Sequence, residues 1–226
     1  MSKNRFFGAS MIGILFVVTM FSSCATTYTA SGTKVSEIDE FALIEPKSII
    51  IYYDKPTSGY RDPSLASASE QLLTDILTNS RYPFTDPIPA DYEGEGEPIA
   101  KWIGTFSDLE SSDIKHLRVP KALTNLIKST GHRYGIVIHA YGYIESNEAY
   151  DQEKMAEFVG NILRTILDEP TRRTVGDQAG NALYTAVIDT QTDRVVYFNS
   201  VLSNADHPLS RRNVGSQMKR LLRKID

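Results

Sequence analysis

Apolar positions along the chain follow two periods. In His132–Ile144 (HRYGIVIHAYGYI), Ile136, Val137 and Ile138 run without interruption, and Tyr134, Tyr141, Tyr143 and Ile144 extend the run with residues suited to a pleated surface. Strict alternation would mark one wet face; a run apolar on both sides predicts a strand covered on both faces. Phe41–Ile44 and Ser48–Tyr53 (SIIIYY) predict two more strands. Tyr82–Ile88 predicts a short edge strand, because Pro83 and Pro87 cannot donate to a ladder. Leu183–Ile188 and Arg194–Phe198 flank Asp189–Asp193 as a hairpin around a polar turn.

The helical period takes over between these runs. Leu65, Ala68, Leu72, Ile76 and Leu77 share one face of a helix that Asp62 or Ser64 caps, with Pro63 tolerated in the first turn. Ser107–Ile114 begins a helix that Pro120 interrupts. Ala122, Leu123, Leu126 and Ile127 form a stripe closed by Gly131, which feeds the central strand. Met155, Phe158, Val159, Ile162, Leu163, Ile166 and Leu167 step by three and four until Pro170, a helical insertion at about 148–170. In the last helix, Pro208–Asp226, Val214, Met218, Leu221, Leu222 and Ile225 face inward. Its outer face carries Arg211, Arg212, Lys219, Arg220, Arg223 and Lys224, which suits the dipole of a helix C-terminus. Asp54–Pro63 and the acidic Asp91–Pro98 read as loops. The sum is an α/β (α+β) fold: a single mixed β-sheet of about four to five strands with helices packed on its faces.

The first residues obey neither period. Lys3 and Arg5 precede a mostly apolar stretch, Phe6–Phe21, broken by Gly8, Ser10, Gly13 and Thr19. A spanning helix wants about 20 predominantly apolar residues, and this run is shorter and more polar. A positive start, a short apolar region and small residues before a cleavage point describe a secretory signal. Phe21-Ser22-Ser23-Cys24 resembles the lipobox of bacterial lipoproteins, with Phe21 where Leu is usual. That resemblance implies cleavage after residue 23 and lipidation of Cys24, the chain's only cysteine. A soluble secreted protein with one buried thiol is the plainer alternative, but an odd cysteine in an exported chain needs a reason. Residues 1–23 are then signal peptide, 24–40 a Thr-, Ser- and Gly-containing flexible tether, and 41–226 one globular domain. Ala25, where an inner-membrane lipoprotein often has Asp, points to the outer membrane facing the periplasm.

Charge removes one class of partner. Of 24 bases and 28 acids, Lys3 and Arg5 fall in the signal, leaving 22 bases and a net charge of −6. A nucleic-acid partner would want a basic domain, so none is expected, and no cofactor loop is present. Gly94 and Gly96 lack the strand before and helix after that a dinucleotide loop requires. No GxSxG, HExxH or phosphate loop occurs, and His116, His132, His139 and His207 hold no helical ligand spacing. No catalytic, cofactor-binding or metal-binding residue is therefore assigned.

The order of elements resembles the fold shared by the TolB amino-terminal domain, the curli-secretion-channel lipoprotein and the lipoprotein activators of penicillin-binding proteins. GIVIHAYGYIESN and AVIDTQTDRVVYFNS carry the resemblance, which covers about Ser48–Ile225. It implies envelope assembly or regulation through protein contacts, without catalysis. The curli channel has membrane-spanning hairpins in the corresponding insertion, which need period-two alternation. The helical period of the insertion therefore argues against a pore. Expected partners are the membrane, through the lipid, envelope proteins, and a second copy of the chain if the insertion stripe is an interface. Phe158, Ile162, Ile166 and Trp102 are the candidate contact residues. The alternative from another class is a periplasmic small-ligand-binding module or hydrolase using Trp102 and the Asp91–Glu97 carboxylates.

Overall fold

The computed structural model describes residues 27–55, 58–90, 97–109, 111–151 and 178–225. The insertion stripe, Cys24 and most of the acidic loop therefore lie outside the described residues. Within them the strands are β1 (Thr27–Thr29), β2 (Ala42–Leu43), β3 (Lys47–Lys55), β4 (Ser58–Arg61), β5 (Tyr134–Glu145), β6 (Ala179–Asp189) and β7 (Arg194–Ser203). The helices are α1 (Pro63–Thr78), α2 (Glu97–Gly104), α3 (Ser111–Ile114), α4 (Lys121–Ser129), α5 (147–151) and α6 (Arg211–Leu221).

The strands form one mixed sheet in the order β1-β7-β6-β5-β3-β4, with β2 also paired to β5. β5 is its axis. It runs antiparallel to β6 from Tyr134↔Asp189 to Ile144↔Ala179, and parallel to β2 and β3 on its other side. Ile136, Val137 and Ile138 are all at most 1% exposed, as a strand buried on both faces requires. Successive side chains leave opposite faces. Ile136, Ile138 and Ala140 meet Leu73 and Leu77 of α1 and Val214, Met218 and Leu221 of α6, while Val137 joins Trp102, Phe106, Leu123 and Ile127 beneath α2 and α4. The result is three layers, with the sheet between two helical layers.

Local chemistry fixes the ends. Asp62 caps α1 by accepting from the backbone N–H groups of Ser64 and Leu65, and Pro63 occupies the first helical position. Gly131, at φ +82, closes α4 in the left-handed region that a side chain resists. Gly135 opens the central strand directly under Ile127, whose side chain fills the space a Cβ would take. Pro83 and Pro87 leave the expected edge strand as two isolated parallel bridges, Phe41↔Phe84 and Ile44↔Ile88.

The fold corrects four expectations. The sheet has seven strands, because β1 and β4 form where a tether and a loop were expected. Thr27–Thr29 pairs antiparallel with Tyr197–Asn199, and Val35 is buried, so the folded chain begins well before residue 41. The buried face of α1 is Ser69, Leu73 and Leu77, with Leu72 and Ile76 at its margin and Ala68 exposed. Ser69 can face inward because its Oγ lies 2.9 Å from Ser48 Oγ, a pairing that periodicity of apolar residues does not register. Last, Trp102, named as a candidate contact residue, lies in the core: it is 6% exposed and meets Phe106 edge to face at 4.8 Å.

Candidate functional site

β1 is the place where the strongest sequence signal meets the folded domain. Thr27 donates from Oγ1 to Asn199 Oδ1 at 2.9 Å, and Ala30 N–H donates to the Val196 carbonyl at 2.9 Å. Asn199 in turn donates from Nδ2 to the carbonyls of Leu221 (2.7 Å) and Arg220 (3.3 Å), satisfying acceptors that every helix C-terminus leaves open. Tyr197 Oη donates to the same Leu221 carbonyl at 3.1 Å, and burial pushes its phenol up to about 12. Edge strand, β7 and the end of α6 are thereby one hydrogen-bonded unit. They enclose a cavity of about 170 Å³ lined by Thr27, Tyr197, Asn199, Arg220, Arg223 and Lys224. Three bases therefore surround the point at which the chain enters the sheet.

Two other polar arrangements have the make-up of chemistry. His132 Nε2 lies 2.8 Å from Glu40 Oε2, and its Nδ1 lies 3.0 Å from Thr130 Oγ1. A carboxylate, an imidazole and a hydroxyl in a row are the parts of a nucleophile relay. Thr130 Oγ1 also lies 2.7 Å from the Ile127 carbonyl, so its single proton is shared between a backbone acceptor at the helix end and the ring. The row ties the end of α4 to Glu40 as a helix-end clamp.

His139 sits inside β5, where a catalytic histidine would have to reach a cavity. Its Nδ1–H donates to the Lys47 carbonyl at 3.0 Å, since a carbonyl can only accept, and its ring stacks near Tyr184. Burial pushes the imidazole down to about 4, with the Lys47 carbonyl opposing in part. At neutral pH it is an uncharged core residue. Asp189, in the β6–β7 turn, accepts from Arg133 Nε (3.0 Å) and Nη2 (2.8 Å). Burial raises its carboxyl, but the Arg133 fork, the Gln191 N–H and Thr192 outweigh that and hold it below the usual carboxylate range. This pair pins the hairpin turn to the start of β5. It also commits Asp189, the buried carboxylate of an open groove of about 1280 Å³ bordered by His116, Arg118, Lys121 and Arg194. Among the described residues no group of three or more His, Cys, Asp or Glu is placed to hold a metal.

Of the sequence candidates, Trp102 lies in the core, and its indole N–H is buried without a hydrogen-bond partner. That is a cost to the fold, and the Trp102 site of the ligand-binding alternative is closed to solvent. Cys24, Phe158, Ile162 and Ile166 lie outside the described residues. What sequence reasoning missed is the grouping at β1: Asn199 and Tyr197 gave no signal as ties to α6, because their partners are backbone carbonyls.

The fold is a mixed-sheet α/β/α sandwich. No protein-family model and no curated protein matches the chain. Among solved structures it is similar to the PelC dodecamer from Paraburkholderia phytofirmans, at 13% identity and TM-score 0.38, over 89% of this chain and 96% of that one. It is similar also to a DUF4136 family protein from Bacteroides thetaiotaomicron, at 9% identity and TM-score 0.30, covering 87% and 94% of the two chains. A third likeness is to the LpoB C-terminal domain from Salmonella enterica, at 10% identity and TM-score 0.28, covering 77% and 87%. Likeness at this level carries no argument about ligand, partner or assembly.

Proposed function

We propose that the chain is a lipid-anchored cell-envelope protein that works by contacting other envelope proteins and performs no catalysis. The observation that carries this reading is Cys24, the chain's single cysteine, placed after small residues at the end of a short apolar run with a positive start. Lipidation gives that thiol a use, and β1 begins only three residues later, at Thr27. The resemblance of GIVIHAYGYIESN and AVIDTQTDRVVYFNS to envelope-lipoprotein domains belongs to the same reading, as does placement at the outer membrane facing the periplasm. Against catalysis stand the two arrangements already described: the Thr130 hydroxyl is engaged by a helix-end carbonyl, and Asp189 is occupied by Arg133.

Growth with a clickable palmitate analogue tests the anchor. The wild-type chain should take the label and stay with membranes, and Cys24→Ser should lose the label and either leave the membrane or keep its signal uncleaved. An unlabelled wild-type chain would overturn the reading. Cross-linking in intact envelopes, followed by isolation of the chain, then identifies the contacts, and recovery of the chain uncross-linked to any envelope protein argues against the protein-contact role.

A further inference from the structure

Three features of the β1 end combine. Arg220, Arg223 and Lys224 are exposed around one cavity with Thr27, at the end of α6 that Asn199 ties to the edge strand. Among the described residues none of the three is in a salt bridge, whereas Arg211 at the other end of α6 reaches Asp75 at 3.5 Å. And only Ala25 and Thr26 separate Cys24 from β1, so the reach from Cys24 to Thr27 is at most about 10 Å. That tether is short enough to let a bilayer holding the Cys24 acyl chains approach these bases to about one Debye length, roughly 8 Å at physiological salt.

We propose that Arg220, Arg223 and Lys224 form a docking surface for the anionic phosphate headgroups of the bilayer in which the chain is anchored, and that this contact sets the orientation of the domain. The inference rests on lipidation of Cys24 and deepens that reading. Charge decides the geometry. With 22 bases against 28 acids after the signal, the domain as a whole is repelled by an anionic surface, and the orientations that survive are those that turn an exposed basic cluster toward it. Here the tether already delivers such a cluster. Guanidinium groups suit the task because their fork engages phosphate oxygens in pairs. One end of α6 and one edge of the sheet then lie on the membrane, and the opposite edge, β4, points away from it.

The test uses the full-length chain carrying Ser36→Cys, an exposed position beside Lys34, Arg223 and Lys224, labelled with an environment-sensitive dye. A thioether-linked Cys24 does not compete for the label. The protein is reconstituted into vesicles of phosphatidylcholine alone or mixed equally with phosphatidylglycerol, each containing a headgroup spin label. Quenching at residue 36 should be at least twofold stronger in the anionic vesicles. The excess should vanish in Arg220→Gln/Arg223→Gln/Lys224→Gln and on raising salt from 0.1 M to 1 M, where the Debye length falls from about 10 Å to about 3 Å. Equal quenching in both vesicles, with the chain retained on them, overturns the patch and leaves the anchor standing. An excess that survives the triple variant overturns it too. A chain that fails to float with phosphatidylcholine vesicles overturns the anchor itself. The two-vesicle comparison needs only the wild-type surface, so the result does not depend on how the triple variant folds.

Discussion

His139 shows how one buried side chain sets a pH response for the whole domain. Its folded value of about 4 lies below the ordinary 6.5, so the native state resists the proton that the unfolded chain accepts. Between pH 6.5 and 4 the unfolded chain binds more protons, and stability falls as pH falls. Each pH step of one across that window costs at most about 1.4 kcal/mol, so the full loss is about 3 kcal/mol, a sizeable share of a typical 5–15 kcal/mol. The chain should therefore melt several degrees lower at pH 4.5 than at pH 7. His139→Leu should flatten that slope, read as denaturation midpoints across the window. A variant with an unchanged slope would place the response elsewhere. Asp189 acts in a lower window: its stabilisation, held by Arg133, is present above the ordinary carboxylate range and is lost on going below it.

Among the elements, β1 is held by side chains as much as by its own ladder. Asn199 satisfies two carbonyls at the end of α6 and anchors Thr27 from the neighbouring strand. Asn199→Ala removes a donor from partly buried acceptors and should cost about 1–3 kcal/mol, read as a lowered melting temperature. Protection of the Ala30 amide, which donates to Val196, should fall further on hydrogen exchange than protection in β5. Equal protection in the variant and the wild type would show that the ladder suffices. β1 was not legible in the sequence, because TYT offers three residues, no apolar alternation and a neighbourhood of Thr, Ser and Gly. β4 failed for a related reason: Ser58–Arg61 is wholly exposed and carries no burial signal. β5, the β6–β7 hairpin and α4 were legible because each concentrates large apolar residues at one period and ends on a residue with a turn preference. The face of α1 was shifted by Ser69, whose burial depends on Ser48 across 21 residues of chain. The β1 grouping eluded sequence reading because it joins residues 27, 199 and 220–224, which only the folded sheet brings together.

At the scale of the whole molecule, the helical period of Met155–Leu167, outside the described residues, predicts a stripe of seven large apolar residues that needs a cover. A stripe of that size is too large to leave wet. The domain's own sheet is the first candidate and a second copy the next. Phe158→Glu with Ile162→Glu should abolish the cooperative thermal transition seen by circular dichroism. A folded double variant that sediments as monomer where the wild type is larger would assign the stripe to an interface between copies. A folded double variant of unchanged mass would assign it to the membrane surface. The β1 edge has a mechanical consequence as well. On the proposed anchoring at Cys24, three residues away, it is where any pull between membrane and domain first enters the fold. Because β1 runs antiparallel to β7 and the pull arrives at its free end, tension directed away from the sheet opens the Thr27↔Asn199 pair first and then its two neighbours in sequence. A short zipper of this kind yields at low force and closes again when slack, before the long ladder between β5 and β6 is parted.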